Sequence, residues 1–173
     1  MRKTIFLSLA IFFSIIIIVF FNSLKTNKIY NTEDLIGKKI PILELELLNK
    51  SEKIYIGDFQ KNRFTLINFF ASWCGPCRKE HKFLIDPSKN TNMPIIGINF
   101  KDKKNNANNF LKKLGNPYDF VAKDDEGKKS VNFGVYGIPE TILINSDLII
   151  LKKYIGPINA IDVKEIKKII KTK

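Results

Sequence analysis

The chain carries one short segment that decides its fold class, Trp73-Cys74-Gly75-Pro76-Cys77. It follows an apolar run, Phe64 to Phe70, which is typical of a buried central strand. The residues after it, Pro76 to Leu84, predict a helix with proline near its first turn. Two cysteines with this spacing at a strand-to-helix junction predict a thiol–disulfide redox pair.

The helix start predicts different roles for the two cysteines. Cys74 lies at the helix N-terminus, where unpaired backbone N–H groups and the helix dipole favour the attacking thiolate. Cys77 lies one turn further along, is shielded, and resolves the mixed disulfide. A zinc site needs more thiolates or imidazoles than two cysteines and one histidine provide, so we predict no metal site.

The N-terminal residues predict a membrane segment. Arg2 and Lys3 precede an uncharged run from Thr4 to Phe21, long enough to span a bilayer as a helix. No small-residue cleavage pattern follows, so we expect an uncleaved signal anchor, with a cleaved signal peptide as the alternative. The basic residues favour a cytoplasmic N-terminus. Residues 1–28 are thus assigned to the anchor and the start of a linker, and 29–173 to a domain in a compartment that permits disulfides.

The composition limits the classes of function. The chain has 173 residues, of which 45% are hydrophobic, and this is enough for one domain with a core. Its net charge of +12 comes from 26 lysines and only 3 arginines spread along the sequence. A nucleic-acid-binding surface usually has clustered arginines or interleaved aromatic residues. We therefore predict no nucleic-acid partner.

The rest of the chain alternates between strand and helix patterns, which predicts an α/β domain with a mixed sheet. Further strands are predicted at Ile40 to Leu48, Lys53 to Ile56 and Pro94 to Phe100, and a hairpin at Thr141 to Asn145 with Leu148 to Tyr154. Helices are predicted at Lys103 to Leu114 and Ala160 to Ile170. The last helix is expected to bury one face made of Ile161, Ile166, Ile169 and Ile170.

Several segments resemble one family, the membrane-anchored thioredoxin-like proteins of cytochrome c maturation, of the DsbE/CcmG type. The redox segment resembles thioredoxin-fold proteins in general. The narrower resemblance rests on Cys77-Arg78-Lys79-Glu80-His81, on Gly97 to Asp102 with Leu114 to Tyr118, and on Gly134-Val135-Tyr136-Gly137-Ile138-Pro139-Glu140-Thr141. It implies a thioredoxin-like fold: a mixed central sheet flanked by helices, an N-terminal β-hairpin extension and one transmembrane helix.

The resemblance also implies a substrate-binding surface beside the cysteines. Pro139 matches the family's cis-proline, and the backbone of Ile138 is expected to pair with an extended substrate. An ordinary trans-proline is the alternative. Trp73 is expected to line the substrate surface, although a core position is also open.

Three polar residues are candidates for redox tuning or proton transfer. Asn68 lies six residues before Cys74, where ordinary thioredoxins have a buried aspartate. The acids that match the family's are Glu80 and Glu140, which can raise a cysteine pKa or accept the resolving proton. Solvated surface acids are the alternative. His81 is expected to be an exposed helix residue, and Lys101 to Asn109 a solvated helix face.

The implied function is that of a monomeric reductant in the periplasm, attached to the bacterial inner membrane by its single anchor. Cys74 would attack the disulfide of an apocytochrome c haem-attachment site, and a transmembrane thiol–disulfide reductase would return the electrons. No cofactor is expected beyond the Cys74–Cys77 pair. The Gly75-Pro76 dipeptide departs from the family and leaves the potential open. The alternatives are a general periplasmic reductase or disulfide oxidase, a copper chaperone, and a non-catalytic docking subunit.

Overall fold

A computed structural model describes residues 2–25 and 33–172, which fall into two separate units. The first unit contains helix α1 (Arg2–Lys25). Its stretch Thr4–Ser23 is long and apolar enough to cross a membrane, a criterion that an N-terminal signal sequence also meets. The boundary predicted at residue 28 lies outside the described residues.

The second unit is an α/β domain built on a five-stranded mixed sheet with strand order β5-β4-β3-β6-β7. Strands β4 and β5 run parallel to β3, whereas β6 is antiparallel to β3 and β7 to β6. A separate antiparallel pair, β1 and β2, precedes the sheet. The strands are β1 (Glu44–Glu46), β2 (Lys53–Tyr55), β3 (Phe64–Phe70), β4 (Ile95–Phe100), β5 (Phe120–Asp124), β6 (Glu140–Asn145) and β7 (Ile150–Ile155).

Four α-helices of the domain flank these strands: α2 (Gly75–Asn90), α3 (Lys104–Leu114), α4 (Lys128–Asn132) and α5 (Ala160–Thr172). Two 3-10 turns cover Glu33–Leu35 and Ile56–Lys61. All seven residues of β3 are buried. Leu66 and Phe70 contribute to one apolar cluster, and Ile67 and Phe69 to the other. The central strand thus separates two cores, as its continuous apolar sequence predicts.

The structure confirms the thioredoxin-like α/β fold but corrects several element boundaries. The strand predicted from Ile40 to Leu48 is limited to Glu44–Glu46, because its two ends pair elsewhere: the N–H of Ile40 donates to the carbonyl of Leu148, and that of Leu48 to the carbonyl of Val121. The helix predicted to end at Leu84 continues to Asn90 and includes Pro87. The sequence patterns missed β5 and α4, which are only five residues each.

The predicted apolar face of the last helix is partly wrong. Ile166 is buried and Ile169 and Ile170 are half-buried, but Ile161 is 76% exposed. At 3.6 residues per turn, Ile161 lies about 140° around the helix from Ile166. Val163 takes the inward position in the first turn instead.

Candidate active site

The two cysteines form a disulfide at the start of α2, directly after β3. Cys74 is the N-cap residue of this helix, and its Sγ accepts a hydrogen bond from the backbone N–H of Cys77 at 3.1 Å. Cys74 is 5% exposed and Cys77 only 1%, while Gly75 and Pro76 between them are exposed. Of the two cysteines in the disulfide, Cys74 is therefore the one nearer the surface, as an attacking cysteine requires.

The loop before the cysteines is held by Asp102. Its carboxylate accepts hydrogen bonds from the Ser72 backbone N–H at 2.6 Å, the Ser72 hydroxyl at 2.9 Å and the Asn99 side-chain amide at 3.2 Å. Trp73 next to this loop is 60% exposed, and its indole N–H donates to the carbonyl of Lys101 at 3.0 Å. The core alternative for Trp73 is thus wrong, and its predicted contact with substrate stays a prediction.

The loop before β6 also borders the two cysteines. The Ile138–Pro139 peptide bond is cis, so the trans alternative is wrong. The carbonyl oxygen of Ile138 lies 3.8 Å from the Sγ of Cys74. The fold therefore places the backbone of Ile138 beside the more exposed sulfur, where an extended chain can reach both.

Glu80 lies in α2, three residues after Cys77, and is only 1% exposed. Its carboxylate accepts hydrogen bonds from the Asn68 amide at 2.8 Å and from the Ile158 backbone N–H at 2.9 Å. Burial raises the pKa of Glu80 to about 7, although these two donors act in the opposite direction. The surface alternative for Glu80 is therefore wrong, and its carboxyl group can change protonation near neutral pH.

Asn68 connects Glu80 to a residue that the sequence patterns did not single out. Tyr118 donates its hydroxyl proton to the Asn68 Oδ1 at 2.8 Å, so the Asn68 NH2 group faces Glu80 and the hydroxyl of Thr141. A side chain at Gly97 would place its Cβ 2.8 Å from the Tyr118 ring, so this glycine allows the ring to pack against β4. The pKa of Tyr118 is raised by burial and by Glu80.

Glu140, the residue after the cis-proline, is also buried, at 2% exposure. Its carboxylate forms an ion pair with Lys153 at 2.8 Å and accepts the backbone N–H groups of Tyr136 and Gly137 at 3.2 and 3.3 Å. The Lys153 ammonium also donates to the carbonyl of Gly134 at 2.5 Å. Glu140 is thus no surface acid, and its hydrogen bonds brace the loop that carries the cis-proline.

The sequence does not indicate that Lys153 is a site residue. It follows Lys152 in a strand, and two consecutive lysines usually predict side chains exposed to solvent. Register explains its position: Lys153 pairs with Ile142 across β6 and β7, so it is a diagonal neighbour of Glu140 on the same face. Its side chain is fully buried.

The prediction for His81 is wrong. It is 1% exposed, its Nε2 lies 2.7 Å from the carbonyl oxygen of Gly115, and its ring packs edge-on against Phe110. Burial lowers its pKa. One turn of α2 therefore buries Cys77, Glu80 and His81 together. The solvated face predicted at Lys101 to Asn109 is largely present, although Ala107 is buried.

Comparison with known proteins shows which family has these features. The sequence model of the redoxin family matches residues 35–170. The chain belongs to the redoxin family. Within it, a DsbE thiol:disulfide interchange protein of Haemophilus influenzae is 36% identical over 167 residues, which are 92% of this chain and 90% of the relative. The chain is therefore a member of the DsbE type, as the sequence segments indicate.

Other redoxin relatives match over shorter lengths. The CycY thiol:disulfide interchange protein of Rhizobium leguminosarum bv. viciae is 48% identical over 105 residues, which are 61% of this chain and only 56% of that protein. Among solved structures, a Chlorobium tepidum protein assigned as DsbE superposes with a TM-score of 0.64 at 25% identity, covering 78% of this chain and 94% of that one. The solved structure agrees with the fold, and the names of both proteins agree with a thiol–disulfide redox pair.

Proposed function

We propose that this chain is a thiol–disulfide oxidoreductase that reduces disulfides in apocytochrome c haem-attachment CxxCH sites during cytochrome c maturation. The N-terminal helix would hold it in the bacterial inner membrane, with the redox domain in the periplasm. One observation carries the proposal: the Cys74–Cys77 disulfide opens a helix beside the Ile138 carbonyl and lies one helical turn from a buried carboxylate, Glu80.

The chemistry transfers two electrons to the client in two exchange steps. In the reduced protein, the Cys74 thiolate attacks one sulfur of the client disulfide, forming a mixed disulfide and releasing the other client sulfur as a thiolate that takes up a proton. Cys77 then loses its proton and attacks the Cys74 sulfur. The client leaves as a dithiol, and Cys74–Cys77 becomes the disulfide that the structure contains.

Glu80 supports the direction of this transfer. An oxidant of the DsbA kind gains its power from a stabilised reduced form. A carboxylate near a cysteine has the opposite effect, because it disfavours the thiolate. Glu80 lies one turn from Cys77, with no cation recorded within ion-pair distance in residues 33–172. This arrangement favours a reductant, and with a pKa near 7 Glu80 can also accept the resolving proton from Cys77.

The remaining parts of the proposal concern partners. The client would lie as an extended segment against the Ile138 backbone, and a transmembrane thiol–disulfide reductase would regenerate the Cys74 and Cys77 thiols. We propose a monomer that needs no cofactor beyond its own disulfide. A second function, that of a general periplasmic reductase or oxidase, is favoured by the Gly75-Pro76 dipeptide, which resembles thioredoxins rather than the maturation family.

A trapping experiment separates these functions. In the native host, Cys77→Ser leaves Cys74 able to attack but removes the resolving thiol, so the client stays attached as a mixed disulfide. We expect mass spectrometry to find peptides with a CxxCH sequence on Cys74. The Cys74→Ser variant is the matched control and should capture nothing. A varied set of periplasmic proteins without a cytochrome would contradict the maturation role and support the general one.

A further inference from the structure

The last helix of the domain, α5, presents a row of lysines on its outer side. Lys164, Lys167, Lys168 and Lys171 lie within an arc of about 100° around the helix, at 3.6 residues per turn. Lys167 pairs with Asp86, whereas no ion pair among the described residues of the domain involves the other three lysines. Three lysines without an acidic partner therefore share one face of this helix.

The two acids of α5 do not offset this charge. Glu165 is bound by Lys152 and Tyr154 of β7. Asp162 accepts the backbone N–H of Asn159 at 2.8 Å, at the start of the helix. Because both carboxylates are bound within the domain, the lysine face of α5 keeps its positive charge.

A cavity of about 690 Å³ extends the positive surface beyond α5. Its charged lining residues are all cations: Lys61 and Arg63 from the segment before β3, and Lys167 and Lys171 from α5. Its apolar lining residues are Phe64, Met93 and Ile170. The cavity thus combines positive charge with apolar surface.

An exposed apolar side chain lies on the same face of α5 as the lysines. Ile161 is 76% exposed and precedes Lys168 by seven residues, which is two helical turns. Helices that lie at a membrane surface combine basic residues with apolar side chains that enter the interface. The outer face of α5 has both.

We propose that this surface binds the anionic phospholipid headgroups of the membrane that anchors the chain. The proposal rests on the function proposed above, in which the N-terminal helix holds the domain at the bacterial inner membrane. Basic residues gain binding free energy close to anionic headgroups, and a membrane anchor raises their effective concentration at the surface. The lipid-binding surface comprises Ile161, Lys164, Lys168 and Lys171 of α5, with Lys61 and Arg63 at the cavity.

The residue types of the lipid-binding surface favour a membrane over an acidic protein. Four of its five cations are lysines. Lysine is a point charge, without the planar fork by which arginine recognises a single carboxylate in a fixed geometry. A layer of headgroups imposes no such geometry, so lysines suit it well.

Binding along α5 also has a consequence for the redox site. The segment before this helix donates the Ile158 backbone N–H to the Glu80 carboxylate at 2.9 Å, so α5 begins next to the redox site. Contact between α5 and headgroups therefore keeps the Cys74–Cys77 pair near the membrane surface. This is where the transmembrane reductase proposed above would act.

Lysine acetylation of the full-length protein in nanodiscs tests the proposal. Discs of phosphatidylcholine are compared with discs of an equal mixture of phosphatidylcholine and phosphatidylglycerol, and mass spectrometry gives the initial acetylation rate of each lysine. We expect the lysines of the lipid-binding surface to react about 5-fold more slowly in the mixed discs, which is the advantage that a basic residue has at an anionic surface. In about 1 M salt the difference should disappear, because the Debye length falls to about 3 Å. The exposed lysines that should change little are Lys38, Lys50 and Lys128.

Two variants of equal charge locate the effect. In Lys164→Gln/Lys168→Gln/Lys171→Gln, the remaining Lys61 should react at rates that differ by less than about 2-fold between the two kinds of disc, because most of the positive surface is lost. The matched control removes the same charge outside the lipid-binding surface. It carries the substitutions Lys38→Gln, Lys50→Gln and Lys128→Gln, and its Lys61 should remain protected in the mixed discs.

Several outcomes would overturn the proposal. Equal acetylation of the surface lysines in both kinds of disc would exclude the contact, and equal loss of protection in both triple variants would show a general effect of net charge. Stronger protection in phosphatidylcholine discs by glycerol phosphate or by polyglutamate than by the mixed lipid would indicate a free anion or an acidic polypeptide instead. Failure of the wild-type protein to comigrate with phosphatidylcholine discs would contradict the anchor itself. Reduction of glutathione disulfide by the same preparation tests the redox function separately, so these failures are distinguishable.

Discussion

The redox site contains two buried carboxylates that the fold treats differently. Glu140, in the cis-proline loop, has the Lys153 ammonium 2.8 Å away and two backbone N–H donors. Glu80, on α2, has two neutral donors and a pKa raised to about 7. A buried carboxylate that is paired with a cation can hold a loop in place. A buried carboxylate without a cation has a raised pKa, so its protonation can change near neutral pH and can affect a neighbouring thiol. The sequence alone predicts the same role, redox tuning or proton transfer, for Glu80 and Glu140.

The largest effect is expected from Lys153→Met, which leaves the charge of Glu140 buried without its cation. Removing one partner of a buried ion pair typically costs about 3–5 kcal/mol of folding free energy. The loop from Gly134 to Pro139 should also loosen, because the Lys153 ammonium holds the Gly134 carbonyl. Urea unfolding at pH 7 measures the free-energy change.

The neighbouring lysine supplies the control. Lys152 pairs with Glu165 at 2.9 Å, but both side chains are more than a third exposed. Lys152→Met should therefore cost only about 0–1 kcal/mol. Equal losses for the two variants would show that burial does not distinguish these pairs, and the bracing role of Glu140 would then be rejected.

The next effect concerns Glu80→Gln and the reduction potential of the Cys74–Cys77 pair. Above pH 7, the charge of Glu80 disfavours a thiolate at Cys77, so removing it should raise the potential. A tenfold change in the exchange equilibrium corresponds to about 30 mV, and we expect a shift of this order at pH 8. At pH 5.5 the shift should vanish, because Glu80 is already protonated there. Equilibration with glutathione measures both values.

Glu165→Gln is the matched control for this measurement. Glu165 lies on α5 and is bound by Lys152 and Tyr154, outside the redox site. We expect its potential to follow wild type at both pH values. A shift in Glu80→Gln that has the same size at pH 5.5 and pH 8 would show that the substitution changes packing rather than charge.

Tyr118→Phe tests what orients Asn68, with a smaller effect on stability. Loss of the hydroxyl leaves the buried Asn68 Oδ1 without its donor, which costs about 1–3 kcal/mol. The amide is then free to turn away from Glu80, and the pKa of Glu80 should rise because the Asn68 donor lowers it. Urea unfolding and the pH dependence of the potential measure the two effects.

Tyr154→Phe is the comparison for that variant, since the Tyr154 hydroxyl bonds to Glu165 rather than to Asn68. It should leave the pH dependence of the potential unchanged. If both tyrosine variants shift this dependence equally, the orienting role of Tyr118 is contradicted.

The sequence predicts local features of this site well and distant ones poorly. Spacing and helix-start chemistry predict the Cys74–Cys77 pair, and the family resemblance of the segment around Pro139 implies the cis bond, because both signals lie within a few consecutive residues. Tyr118 reaches the site from the loop before β5, 50 residues beyond Asn68, and Lys153 reaches it through strand register, from the next strand after Glu140. No period along the chain encodes such diagonal contacts.

The same reasoning explains the errors in the fold. The Phe64–Phe70 strand is correct because burial on both faces gives a continuous apolar run. His81 was expected at the surface because polar residues in α2 suggest solvent, yet tertiary packing against Phe110 covers it. Short elements such as β5 and α4 carry too few residues for a period to be recognised.

The smallest effect is expected from His81→Gln, and it sharpens the comparison because its sign opposes that of Glu80. Burial lowers the pKa of His81, so its contribution to stability is present above pH 6.5 and declines as pH falls. The raised pKa of Glu80 gives a contribution that is present below pH 4.5 and is lost as pH rises through about 7. Gln can still donate to the Gly115 carbonyl but takes up no proton.

Urea unfolding at pH 7.5 and at pH 5.5 measures the change in the free energy of unfolding. On lowering the pH, this free energy should change more favourably in His81→Gln than in wild type, and less favourably in Glu80→Gln. Identical pH slopes in all three proteins would mean that neither group changes protonation on unfolding, and Glu80 would then have to act as a fixed polar contact.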